Sequence, residues 1–169
     1  FNSVIYTATT SDGKTTNTKV DDATYDSATL LTLAHVDSWS SMELPTMKPP
    51  SLENAIELAA VLKGVDTETP FPFFISGNTN YFHIHVINGF CPVANPDLET
   101  QYLPWKLESS NTQEITVVGF YAKGQEGVMT HHGSPIHIHG IMTLNGELTT
   151  GHLDSVALNE GATIFLPSN

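Results

Sequence analysis

SPIHIHGIMTLNGELTTGHLDS, residues 134–155, holds two histidines at alternate positions, an Asn145-Gly146 pair and a third histidine after Gly151. Asn-Gly between alternating runs is the strongest short-range hairpin signal, because a type I′ turn needs positive φ at both central positions. With Asn145 and Gly146 as the loop residues, facing positions have numbers summing to 291, which sets His139 opposite His152 and His137 opposite Asp154. Side chains alternate along a strand, so His137, His139 and His152 share one face. Directly opposed residues hold their Cβ atoms about 4.5–5.5 Å apart. A slip of one residue would send His152 to the other face, so the arrangement depends on that turn.

A lone histidine on a strand is ordinarily a core or surface residue, and a single His-x-His is a weak signal. The third histidine, placed by an independent turn signal, makes the pattern a candidate metal site. Three imidazoles so gathered hold Zn2+, or another divalent transition metal, with a position open for substrate or water. The expected ligands are His137, His139 and His152. Asp154 is a fourth ligand, a partner that orients His137, or simply a polar strand residue. Gly140 and Gly151 face each other behind the site, which points to a close backbone approach or a bend.

The 169 residues fit a single domain, 1–169, long enough to bury its own core. The formal net charge is -12, and the six basic residues are all lysines. With no arginine, nucleic acid binding has almost no electrostatic support. Attachment to an anionic membrane surface has none either. Small anionic substrates must be met by a metal, a lysine or backbone amides instead of an arginine fork. The expected partner is therefore a small-molecule substrate, with no nucleic acid and no membrane, and a homodimer is the candidate assembly. Cys91 is the sole cysteine, so the redox compartment is undetermined. The start at Phe1 and the acidic balance lean towards a processed, secreted form; a trimmed chain explains the start equally well.

Around the hairpin the chain reads as α+β and predominantly β, a mixed or antiparallel sheet with one clear helix. Strands are expected over 2–9, 28–37, 70–76, 81–88, 114–122 and in the closing NEGATIFLPS, with a loop or ragged hairpin at 10–27. The helix spans 51–63: Ser51 caps it, Glu53 suits its positive end, Leu52, Ile56, Ala59 and Ala60 form one apolar face, and Gly64 stops it. Residues 38–50 and 89–113 read as connections, and Gly77-Asn78 as a turn. His35 stands alone and reads as structural. His83 and His85 form a second His-x-His, which is a half-exposed strand face, a wall of the main pocket or a second metal site. The Gly-rich AKGQEGVMTHHGSP feeds the metal strand, so Glu126 and His132, with His131 beside it, are the candidate general acids or bases.

The run EITVVGFYAKG (114–124), followed by IHIHGIM (136–142) and GHLD (151–154), resembles the C-terminal half of the α-acetolactate decarboxylases. SLENAIELAA (51–60) is similar, more weakly, to the family's helix before its central strands. The resemblance implies a mainly β fold and zinc held by His137, His139 and His152. A related fold occurs in the domain conserved between plants and prokaryotes, which also carries a His-x-His and Gly-Gly-His hairpin. The family's arginine falls in a segment matched here by CPVANP (91–96), and this chain has no arginine to offer. Its glutamates include one near the C-terminus, where the closing strand here reads TIFLP without a carboxylate.

The resemblance implies a metal-dependent lyase that stabilises an enediolate from a 2-hydroxy-3-oxo acid or a related hydroxy-ketone. The missing arginine leaves open an isomerase or cyclase of another hydroxy-keto substrate. A non-catalytic metal-containing binding module is the alternative from a different class. A cupin-like oxygenase fits least, since residues 140–146, GIMTLNG, lack the glutamate that follows His-x-His there.

Overall fold

A computed structural model describes residues 4–21, 32–46, 51–87, 103–130 and 133–168. The hairpin forms as its turn residues require. Strand β7 (Ile136–Leu144) returns as β8 (Glu147–Leu158), with Asn145 at φ 52° and Gly146 at φ 85° between them. Leu144 faces Glu147, Gly140 faces Gly151 and His139 faces His152, which is the expected register.

Before the hairpin come β1 (Ile5–Thr9), β2 (Asn17–Asp21), β3 (Trp39–Glu43), helix α1 (Leu52–Leu62), β4 (Phe71–Val86), β5 (Trp105–Ser109) and β6 (Gln113–Tyr121); β9 (Thr163–Pro167) follows it. The named strands pair antiparallel throughout. β7 lies on β6, and β6 on the first half of β4. The second half of β4 takes β8, so the path β4–β6–β7–β8–β4 closes on itself as a small barrel. β9 and then β3 extend the sheet from the first half of β4, and β5 borders its second half. β1 and β2 form a separate hairpin that packs on β8, where Thr18 Oγ1 accepts the Thr150 amide at 3.1 Å.

The core follows the period-two alternation of the strands. Phe73, Ile75, Ile84, Val117, Leu153 and Ile164 are fully buried or nearly so, and α1 adds Ile56, Ala59 and Ala60. Ser51 Oγ accepts the Asn54 amide at 3.2 Å, and Lys63 with Gly64 (φ 74°) ends the helix.

Two bulges decide which face carries the polar residues. In β4 the register passes from Thr79↔Leu158 to Tyr81↔Ala157, leaving Asn80 as an extra residue. Before it the odd-numbered Phe71, Phe73 and Ile75 are buried; after it the even-numbered Phe82, Ile84 and Val86 are. His83 and His85 are thereby turned away from the core. In β8 the pairs Ile84↔Leu153 and His83↔Ser155 leave Asp154 unpaired. A bulge of this kind bends its strand and re-aims a side chain.

Several expectations are corrected. Residues 71–86 are one strand without a turn at Gly77-Asn78. Gly77 is there for contact, since a Cβ on it would stand 2.8 Å from the Ala162 Cβ. Residues 32–37 form no strand, while 28–31 lie outside the described residues. Strands β3 and β5 occupy stretches read as connections; each is a five-residue edge partner, half-exposed and without a continuous apolar run. Among the described residues no helix is long and apolar enough to cross a membrane.

Candidate metal centre

The barrel face turned from the core carries a row set by register: Val118 of β6, His139 of β7, His152 of β8 and His85 of β4 are successive neighbours. His137 stands one pleat from His139, beside Phe120. His137, His139 and His152 each offer a ring nitrogen, and these atoms all lie within 4.8 Å of one another. His137 Nε2 and His139 Nε2 are 3.2 Å apart. Nitrogens bound at about 2.0–2.1 Å around a tetrahedral ion lie about 3.3 Å from one another, so this edge fits Zn2+ without rearrangement. The rings of His137 and His139 stack at 5.2 Å, and both stand edge-on to His152, at 4.9 and 5.4 Å.

The supporting contacts agree with that donor set. His137 Nδ1 lies 3.3 Å from the Met129 carbonyl. A carbonyl only accepts, so Nδ1 carries the proton and Nε2 keeps its lone pair for the site. Behind the site, a Cβ on Gly151 would stand 2.7 Å from the His85 carbonyl oxygen, which is the close backbone approach the facing glycines indicate. His152 is buried, His137 half-buried and His139 exposed.

A cavity of about 550 Å³ opens over these rings, walled by His85, His137, His139 and His152, with Tyr6 and Ala8 of β1 across from them. The cover from the β1–β2 hairpin has no sequence signal. His85 belongs to this wall: its ring centroid is 4.9 Å from that of His152. A second opening of about 510 Å³ reaches His152 from the side of Ser51, Glu53 and Ser134 at the start of α1. It exists because β8 leaves β7 after His139↔His152 and continues along β4.

That divergence also moves Asp154. The extrapolated pair His137–Asp154 does not form; Asp154 Oδ2 instead lies 2.9 Å from His85 Nδ1 and 3.3 Å from His83 Nδ1. Glu126 is exposed and does not line the histidine cavity. Its Oε1 accepts the Gly124 amide at 3.2 Å, inside a tight turn where Gly127 donates to the Thr130 carbonyl. Its charge is felt by Tyr121, on the core face of β6. His132 and its neighbour His131 lie outside the described residues. His35 is an exposed residue 3.2 Å from Asp37.

No family model matches the chain, and no curated protein does. Among solved structures it is similar to the α-acetolactate decarboxylase of Bacillus subtilis strain 168, at 17% identity over 80% of this chain and a TM-score of 0.52. The match covers 53% of that enzyme, so the chain spans about half its length. A metal-containing protein from Archaeoglobus fulgidus aligns over 79% of this chain and 81% of its own, at 19% identity and a TM-score of 0.48. A plant- and prokaryote-conserved protein from Pyrococcus horikoshii aligns over 82% and 83%, at 15% identity and a TM-score of 0.49. The likeness to the decarboxylase, at 17% identity, shows a shared fold and nothing finer.

Proposed function

We propose that this chain is a metal-dependent lyase whose substrate is a 2-hydroxy-3-oxo acid or a related hydroxy-ketone. The observation that carries the reading is the three-histidine cluster, aimed into a cavity of about 550 Å³ on a barrel like that of a decarboxylase. His137, His139 and His152 would hold the ion. When bound, a divalent metal would supply Lewis-acid stabilisation of the negative charge left on chelating oxygens when the carboxylate group is lost as CO2.

The chain's own residues do the rest. The Met129 carbonyl fixes the ring of His137, and the register of β7 on β8 fixes His139 against His152. Tyr6 and Ala8 of β1 complete the lining of the cavity. With no arginine to grip a substrate carboxylate, binding falls to the metal and the histidine wall. That absence favours a second reading, isomerisation or cyclisation of a neutral hydroxy-ketone on the same centre.

The test is turnover by zinc-loaded protein. Racemic 2-hydroxy-2-methyl-3-oxobutanoate is offered with CO2 release followed, and neutral α-hydroxy ketones with rearrangement followed by NMR. CO2 release that falls at least about a hundredfold in His139→Ala supports the lyase. Rearrangement without CO2 release establishes the second reading. A protein that holds zinc and turns over neither class is a binding module.

A further inference from the structure

His85 and Asp154 stand beside the three histidines without belonging to them. His85 reaches this face only because Asn80 bulges from β4, and Asp154 reaches His85 only because it bulges from β8. Two independent register breaks thus bring one imidazole to the cavity wall and one carboxylate behind it. Asp154 Oδ2 is 2.9 Å from His85 Nδ1, with the two side chains 34% and 18% exposed respectively.

A carboxylate oxygen accepts, so Nδ1 is the donor in this contact. In that tautomer the ring's lone pair is at Nε2. His85 lines the histidine cavity and Asp154 does not, so the ring edge left for the cavity is the one turned from Asp154. His83 Nδ1 lies 3.3 Å from the same oxygen.

We propose that Asp154 is a positioning residue that holds His85 with Nε2 presented to the cavity as a hydrogen-bond acceptor. The pair makes the site selective for chelating ligands with a proton on the metal-binding hydroxyl oxygen, α-hydroxy acids and α-hydroxy ketones, over the corresponding methyl ethers. This rests on the reading of the three histidines as a metal centre. A metal-bound hydroxyl is polarised and donates strongly, whereas an ether oxygen there leaves the acceptor of His85 unmatched.

The probe pair is 2-hydroxy-2-methylpropanoate and 2-methoxy-2-methylpropanoate, titrated into cobalt(II)-loaded protein while the visible cobalt band reports binding. Wild type is expected to bind the hydroxy acid at least about tenfold more tightly than the methoxy acid. Asp154→Ala and His85→Phe each reduce that ratio to about twofold or less, with cobalt content unchanged. A ratio that stays high in both variants overturns the proposal and leaves the metal reading standing. Cobalt lost from Asp154→Ala also overturns it, because Asp154 then supports the metal instead of His85. A wild type that takes up no cobalt overturns the metal reading and this one with it.

Discussion

Gly140 and Gly151 face each other across the hairpin, but their surroundings differ in kind. A Cβ on Gly151 would meet the His85 carbonyl oxygen at 2.7 Å, a backbone atom held in the β4–β8 ladder. A Cβ on Gly140 would meet the Met142 Cε at 3.0 Å, the end of a flexible side chain that can move. Gly151→Ala is therefore expected to cost about 1–3 kcal/mol, and Gly140→Ala under about 1 kcal/mol. Urea melts of the two variants check this, and equal losses would sink the distinction. Tyr121 offers a pH-dependent counterpart. Burial, helped by the neighbouring Glu57 carboxylate, pushes its hydroxyl up to about 12. Between pH 10 and pH 12 the unfolded chain then releases a proton that the folded chain keeps, so stability is whole below pH 10 and falls above it. The loss reaches about 2 kcal/mol by pH 12. Tyr121→Phe should flatten that decline relative to wild type, and parallel pH–stability curves for the two proteins would refute it.

The bulge at Asn80 decides the parity of β4, and Thr79 beside it is wholly buried. Its hydroxyl lies 2.7 Å from each of the Tyr81 and Ala157 carbonyls and accepts the Tyr81 amide at 3.2 Å. Thr79→Val keeps the shape and leaves those backbone groups short of a partner, so it should cost about 1–3 kcal/mol. If parity depends on this anchor, the His85 and His152 ring signals in NMR will shift in the variant; unchanged spectra would detach Thr79 from the site. The same elements mark what a sequence can carry. Asn145-Gly146 announces its turn because positive φ is a local demand, and the register that aligns His139 with His152 follows from it. Helix α1 is legible for the same reason, through Ser51 and Gly64. Asn80 and Asp154 carry no local mark; their bulges come from β4 and β8 meeting to close the barrel, across 67 or more positions of chain. The hairpin register extrapolated past His139 therefore pairs Asp154 with His137, whereas the bulge gives it to His85. Gly77 misled in the opposite sense, since its glycine answers a contact with Ala162 and no turn.

At the scale of the whole molecule, the candidate site joins segments far apart in sequence. β4, β7 and β8 supply the histidines, and the β1–β2 hairpin supplies the cover. An ion held there would tie β7 to β8 at the place where β8 begins to leave it for β4, so it should strengthen the closure of the barrel. The net charge of -12 also favours cations near the surface, and that attraction weakens with salt. Metal bound only by the folded chain, at a free concentration about a hundred times its dissociation constant, adds about 2.7 kcal/mol to stability. For a chain of 169 residues that corresponds to roughly 5–10 °C in Tm. Stripping zinc with a chelator should lower Tm by that amount, and returning zinc should restore it. His152→Ala, which removes the buried histidine of the three, should melt at one temperature with or without zinc. A chelator shift that persists in His152→Ala would place the stabilising ion elsewhere on the molecule. A wild type whose Tm ignores both zinc and chelator would mean that the barrel closes on its apolar core alone.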